Sequence, residues 1–348
     1  MFWGKGPLYQ YVPEGEDRGR APETDDKARF TAIAWGSGTG AMFPLFIIIQ
    51  HFSSAVVDLS SCTVLNKFLV DPIFNPPTTV AGVTTHPWVK RMWSRELTLK
   101  DKKGQPFTAT YTRPYLINVV TGDVITIQAK AWNDSITTCM WADVQAGPSA
   151  ARRGRPLFVI WDNCGPHGVP AVQAVLAANG IHTELLPPKM TDTLQAMDLV
   201  VNGPLKAHTR RARCLAIVQY FQRWKLEQDA EMQKPPGTRQ LHDFHPPKPT
   251  LIQGVSTCLG AMQQMSARLD FQQGLCRVFI AIGQTMDPKS GDFRRYPDQH
   301  GSLKTSMPSV MQRAVDSMGD WLAEVTLDAP DSEPESDSGS NESSSDVS

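Results

Sequence analysis

The stretch that decides the fold runs from Leu157 to Lys206: LFVIWDNCGPHGVPAVQAVLAANGIHTELLPPKMTDTLQAMDLVVNGPLK. Leu157 to Trp161 is a short apolar run of β-formers that ends on Asp162, and Asn163, Gly165 and Pro166 then break the strand. Val169 to Ala178 has helical apolar spacing, with Gly180 suited to the position just past its end. Thr183 to Leu186 predicts a second short strand, closed by Pro187 and Pro188. Thr191 to Leu205 follows, and carries Asp198 at the start of a long helical stretch.

Strand, helix, strand and helix at this length make a βαβ unit, so the two strands are expected to be parallel and adjacent. Asp162 then ends the first strand at the sheet edge where α/β proteins place their sites. Asp198 lies 36 positions later, after the neighbouring strand has finished at the same edge. Two carboxylates gathered there suit Mg²⁺ or Mn²⁺, which bind through carboxylates, water and substrate phosphate. Each acid also has a bland role. An Asp after a strand forms local turn hydrogen bonds, and an Asp at a helix start is favoured by the dipole.

The run Ile160-Trp161-Asp162-Asn163-Cys164-Gly165-Pro166-His167 resembles the second-Asp motif of the DDE superfamily endonuclease domain of pogo-like and mariner-group transposases. Leu185-Leu186-Pro187-Pro188-Lys189-Met190-Thr191-Asp192-Thr193-Leu194-Gln195-Ala196-Met197-Asp198 is similar to the block that holds the third acid, and Asn202-Gly203-Pro204-Leu205-Lys206 continues it. The resemblance runs from about Ala28 to Arg223. It implies metal-dependent cleavage and strand transfer of DNA phosphodiesters, with Asp162 and Asp198 as catalytic acids and metal ligands. Asn163, His167 and Gln195 are then site neighbours that orient water or phosphate. Read from the residues themselves, Lys189, Lys206, Arg210, Arg211 and Arg213 are candidate nucleic-acid contacts, and the Lys206 to Arg213 cluster fits a phosphate contact or nuclear address and an ordinary solvated helix face equally. The family pattern also needs a first acid, on a strand upstream of the first hairpin. No acid precedes Met1, and Glu14, Glu16 and Asp17 fall in a polar Pro/Gly stretch, so the resemblance implies an N-terminally truncated domain.

Composition sets bounds. The 348 residues hold 34 basic and 35 acidic side chains, and 41% are apolar, enough for a packed core. Asp328 to Ser348 contributes seven acids and no base, leaving a mildly basic body of 34 basic against 28 acidic residues. That body fits DNA as partner and a nuclear setting without requiring either. The sequence leaves room for a homo-oligomer and shows no motif for a small-molecule cofactor. The most apolar run, Ala41 to Ile49, is far too short to span a membrane. Six cysteines lie scattered without a CxxC pair, which argues against a zinc knuckle or a disulfide framework. Cys164 sits beside the acid motif and could be paired with His167 as nucleophile and base, but nothing else resembles a cysteine enzyme.

Along the chain, residues 1–27 read as an irregular segment rich in Gly, Pro and charge. Arg29 to Trp35 and Met42 to Gln50 read as strands, joined through Gly36-Ser37-Gly38-Thr39-Gly40. That glycine run is half of a dinucleotide fingerprint. A β-branched run follows it where a helix would be needed, so a hairpin is the better reading. Lys90, Arg91, Arg95, Lys100, Lys102 and Lys103 with Trp88 and Trp93 read as a solvated basic insertion with its tryptophans tucked under, ahead of a nucleic-acid surface. Tyr115 to Ile127 predicts a hairpin. Ala131 to Val144 predicts a helix with an apolar stripe of Trp132, Ile136, Met140 and Val144, stopped by Gly147 and Pro148. After Asp198 the helix is expected to reach about Gln228, kinked at Pro204.

The expected architecture is an RNase H-like α/β domain over residues 28–230: a mixed sheet with an antiparallel hairpin at one side, parallel strands at the other and helices on both faces. A Pro-rich linker at 231–250, a helical C-terminal region at 251–327 and a disordered acidic tail at 328–348 are expected to follow. The alternative to a DNA-cleaving enzyme is a catalytically inactive remnant that binds nucleic acid or protein.

Overall fold

The computed structural model describes residues 30–51, 62–80, 83–100, 103–162, 164–186, 194–246 and 250–285. The N-terminal segment 1–27, the acidic tail and the readings at Asn163 and Lys189 lie outside the described residues.

Nine strands and seven α-helices are described. β1 (Phe30–Ile33) and β2 (Phe46–Gln50) form the expected antiparallel hairpin. Helix α1 (Thr63–Val70) and the short pair β3 (Thr78–Val80) and β4 (Val83–Thr85) follow. β5 (Trp88–Lys100) and β6 (Pro106–Asn118) make a long antiparallel hairpin, and β7 (Val124–Gln128) returns against β6. β2 pairs in parallel with β7, so the main sheet is mixed and five-stranded, in the order β1-β2-β7-β6-β5. Past it come α2 (Ser135–Trp141), α3 (Gly147–Arg153), β8 (Leu157–Trp161), α4 (Pro170–Ala178), β9 (Ile181–Leu185), α5 (Asn202–Met232), α6 (Leu251–Ser266) and α7 (Leu269–Ala281). This mixed α/β architecture is consistent with the RNase H-like expectation.

β2 shows why the sheet is covered on both faces. Its sequence is FIIIQ, and side chains alternate along a strand with a period of two. Ile47 and Ile49 join a core with α1, α6 and α7, through Leu65, Phe68, Val255, Met262 and Leu275. Phe46 and Ile48 face the other way, onto Cys139 and Met140 of α2 and Val172 and Leu176 of α4. A strand buried on both sides reads as a continuous apolar run, as it does here. The helices drawn as a C-terminal region therefore share one core with the first hairpin. The glycine turn packs beneath α7: Gly40 has φ +88°, and a Cβ there would lie 2.2 Å from the backbone oxygen of Gln272. The run Gly36 to Gly40 allows a close approach between backbones and has no helix after it to cradle phosphate.

The helix expected to start at Ala131 and stop at Gly147 does neither. Ala131 has a positive φ of 55°, and the chain turns there. Asp134 then caps α2, accepting a hydrogen bond from the Thr137 N–H at 2.8 Å. Trp132 lies outside the helix at 61% exposure, with the Lys130 Nζ 5.9 Å from its ring centroid. At the far end, residues Ala142–Ala146 widen into a π-helical turn, and the Gly147 N–H reaches back to Ala142 O. The wider turn accommodates Pro148, which has no N–H and would clash in a regular α-turn. The segment thus stays helical to Arg153, where Gly154 takes the left-handed conformation.

Asp143, in that π-turn, ties the basic hairpin to the body. It accepts from Trp93 Nε1 at 2.8 Å and Asn179 Nδ2 at 2.8 Å, and pairs with Arg95. Trp88 and Trp93 are buried, as the solvated-insertion reading expected. Asp143→Ala takes the acceptor from Trp93 Nε1 and Arg95, while Asn179 Nδ2 keeps Val175 O at 2.9 Å, and an expected loss of about 2 kcal/mol follows, to be read from urea unfolding.

Candidate functional site

β8 and β9 are parallel and adjacent, with Leu157 opposite Ile181 and Trp161 opposite Leu185. They form a pair of their own, and among the described residues neither is paired with the five-stranded sheet. The whole-sheet expectation is corrected to that extent. β8 is apolar throughout, yet every residue in it is only partly buried.

Asp162 sits where the sequence places it, at the C-terminal end of β8. The chain then folds into a 3-10 turn at Gly165–Gly168 with Pro166 in its first positions, which swings His167 back beneath the strand end. The His167 Nδ1 lies 3.0 Å from Asp162 Oδ1 and 3.0 Å from Asp162 O. Cys164 Sγ is 3.2 Å from the same Nδ1. Below, the Trp161 ring stacks on the imidazole at 3.9 Å and 2°. Gln173 of α4 donates to His167 O at 2.5 Å and accepts from Thr183 Oγ1 of β9 at 2.6 Å, fixing the turn to both neighbours. The carboxylate, thiol and imidazole donor atoms all lie within 4.8 Å of one another.

Charge stabilises this arrangement. Burial disfavours the charged form of His167, but hydrogen bonds to Asp162 and Cys164 outweigh it and raise its pKa to about 9. The hydrogen bond from His167, against an opposing effect of burial, holds the Asp162 carboxyl below its usual range. The folded chain holds the His167 proton more tightly than the unfolded chain does. This stabilisation is complete below about pH 6.5, the ordinary imidazole value, and is lost as pH rises to about 9. His167→Gln is therefore expected to lower stability at pH 6, with the difference from wild type shrinking steadily toward pH 9. Thermal melts across that range provide the check.

A cysteine relay needs the thiol on one imidazole nitrogen and the carboxylate on the other. Here the carboxylate is on Nδ1, and Cys164 Sγ lies 3.2 Å from Nδ1 and 3.4 Å from Nε2, so the thiol is aligned on neither nitrogen alone.

Asp198 does not join the group at Asp162 among the described residues. It lies in a π-helical turn, Met197–Val201, is exposed, and accepts from Asn202 Nδ2 at 2.5 Å. The helical distortion falls there, and α5 is regular through Pro204 in its first turn, so the expected kink is moved upstream. Ile160 of β8 and Met197 both pack against the large core that contains Leu194 and Ala196. Gln195 contributes a buried Oε1 with no hydrogen-bond partner, and Trp161 a buried Nε1 in the same condition. Lys206, Arg210, Arg211 and Arg213 all lie on α5. Helical spacing puts Lys206, Arg210 and Arg213 on one face, while Leu205 and Thr209 face the core.

Residues 117–242 match the family model of the DDE superfamily endonucleases. This segment is similar to the DDE superfamily endonuclease domain. The matched segment includes Asp162 and Asp198, begins within β6 and ends beyond α5. It starts later and ends later than the resemblance read from the sequence, and is consistent with a transposase-derived domain of the pogo/mariner kind. No curated protein and no solved structure matches the chain. Among the described residues, no helix is long and apolar enough to cross a membrane.

DDE-type domains generally use divalent metals, and part of what this site offers suits one. The carboxylates of Asp162 and Asp198 are hard oxygen donors. Among the described residues, the Gln195 Oε1 is a buried acceptor without a hydrogen-bond partner.

Proposed function

We propose that the DDE domain acts on DNA phosphodiesters, with Asp162 and Asp198 as the carboxylates that hold Mg²⁺ or Mn²⁺. The observation that carries this reading is the position of Asp162 at the end of β8, inside the matched segment. The chemistry a bound cation supplies is activation of the attacking oxygen and charge stabilisation at the leaving one. The protein's own part is positioning. His167 fixes the Asp162 carboxylate, Trp161 fixes His167, and Gln195 offers its free acceptor to a water or substrate hydroxyl. Lys206, Arg210 and Arg213 along α5 engage the phosphate backbone. Arg211 adds to this charge, and the family resemblance offers Lys189 and Asn163, outside the described residues, as further candidates.

The family pattern calls for a third carboxylate. The ancestral reaction is metal-dependent cleavage and strand transfer.

A second reading has its own support. Asp162 is already neutralised by His167, and Asp198 is exposed and engaged by Asn202. On that reading the domain is an inactive remnant that binds nucleic acid or a protein. Incubating supercoiled plasmid with the chain in Mn²⁺ separates the two. Nicking supports cleavage. Binding that weakens steeply with salt, without nicking, supports the remnant.

A further inference from the structure

We propose that Asp162, Cys164 and His167 form a binding site for a thiophilic divalent ion, Zn²⁺, separate in chemistry from the carboxylate site for Mg²⁺ or Mn²⁺. The proposal uses Asp162 but does not depend on DNA cleavage. The three side chains supply one oxygen, one sulfur and one nitrogen, all mutually within 4.8 Å. A tetrahedral zinc ion, about 2.0 Å from nitrogen or oxygen and about 2.3 Å from sulfur, holds its donors about 3.3–3.6 Å apart. Here Nδ1 lies 3.0 Å from the carboxylate and 3.2 Å from the thiol, which is also 3.4 Å from Nε2, so outward shifts and a rotation of the Cys164 side chain toward Nδ1 make room for the ion. A thiolate in the set selects Zn²⁺ over Mg²⁺, which takes oxygen donors in octahedral geometry.

The surroundings are those of a held site. The stack on Trp161 fixes the imidazole plane, and Gln173 anchors the turn that carries it. Three protein ligands leave a fourth position for water, as in reactive zinc sites. Binding exchanges protons for metal: the Cys164 thiol and the His167 Nδ1 each release a proton to solvent. Since zinc and Mg²⁺ both claim the Asp162 carboxylate, occupancy by one excludes the other from it.

Two other thiols are poor competitors. Burial pushes Cys139 up to about 11 and Cys258 up to about 12, and both sit in the cores.

Titrating the full chain with Co²⁺, a spectroscopic stand-in for Zn²⁺, tests the proposal without DNA. The expected result is one Co²⁺ per chain, with a near-ultraviolet thiolate charge-transfer band. Zn²⁺ removes the band and a large excess of Mg²⁺ does not. Cys164→Ser is expected to abolish it, and His167→Gln or Asp162→Asn to weaken binding tenfold or more. Absence of the band in wild type, or its persistence at full strength in Cys164→Ser, overturns the assignment. Circular dichroism of each variant identifies any that fails to fold, and the wild-type stoichiometry and Mg²⁺ competition then decide. Absence of plasmid nicking alongside a normal cobalt titration would count against the cleavage reading alone.

Discussion

Asp162→Asn is expected to reduce Mn²⁺-dependent nicking of supercoiled plasmid by roughly a hundredfold or more, because ion placement is most of what such a site contributes. The substitution is close to isosteric. The carboxamide oxygen can accept from His167 Nδ1 in place of Oδ1, and the separate contact of Nδ1 with the Asp162 backbone oxygen is untouched, so the turn at Gly165–Gly168 keeps its hydrogen bonds. What is lost is the negative charge, and with it both the cation's ligand and the partner that holds His167 in its charged form. The melting temperature is expected to fall by only a few degrees, which separates the effect on activity from one on folding. Asp198→Asn is the informative companion. It removes a charge from an exposed carboxylate whose described partner is Asn202, so its effect on stability is small. Equal loss of nicking in the two variants, with no further loss in the double variant, is the signature of one shared site. Unchanged nicking in Asp198→Asn would remove that residue from the site and leave the paired-acid reading without support.

Much of the framework was legible in the residues, for physical reasons that differ by element. β8, α4 and β9 were clear because two apolar runs with turn signals bracket a helical period, and the parallel pairing follows from the connection. The first hairpin was clear because Phe46 to Ile49 is too β-branched for the helix that a phosphate loop needs. Hidden from the sequence was the continuation of a helix through Gly147 and Pro148. Local propensity stops there, and only a π-turn, closed against Asn179 and Ala142, carries the chain on. The long β5–β6 hairpin was hidden too. Its basic residues mask the alternation, and burial falls on Trp88, Trp93 and Leu97 at unequal spacing along a twisted strand. Distance between parts of the site was the least legible. The turn that returns His167 to Asp162 and Cys164 spans only a few residues, so its donors converge by local geometry. Asp198 depends on how a π-helical turn is seated after β9, which no local spacing encodes.

Gly40→Ala is expected to cost about 3 kcal/mol, one of the larger single-residue losses in this fold. Two effects add. The backbone at φ +88° is one that L side chains rarely adopt. The new methyl would also lie 2.2 Å from the Gln272 backbone oxygen, in a helix that cannot yield as a flexible side chain can. Gln272 is held in turn, its N–H on Arg268 O at 3.1 Å and its Nε2 on Ser266 O at 2.7 Å. The substitution therefore levers α7 away from the β1–β2 hairpin, in a core that also contains Leu275 and Ile282. Gly104 supplies the control. It has a similar φ of +80° at the tip of the β5–β6 hairpin, but a Cβ there meets nothing within 4 Å. Gly104→Ala is expected to cost only the backbone component, about 1 kcal/mol. The difference between the two, read from melting temperatures as roughly 4–8 °C, isolates the contact with α7. Equal losses at both positions would mean that α7 does not press on the glycine turn, and that the helices after residue 250 do not share a core with the first hairpin.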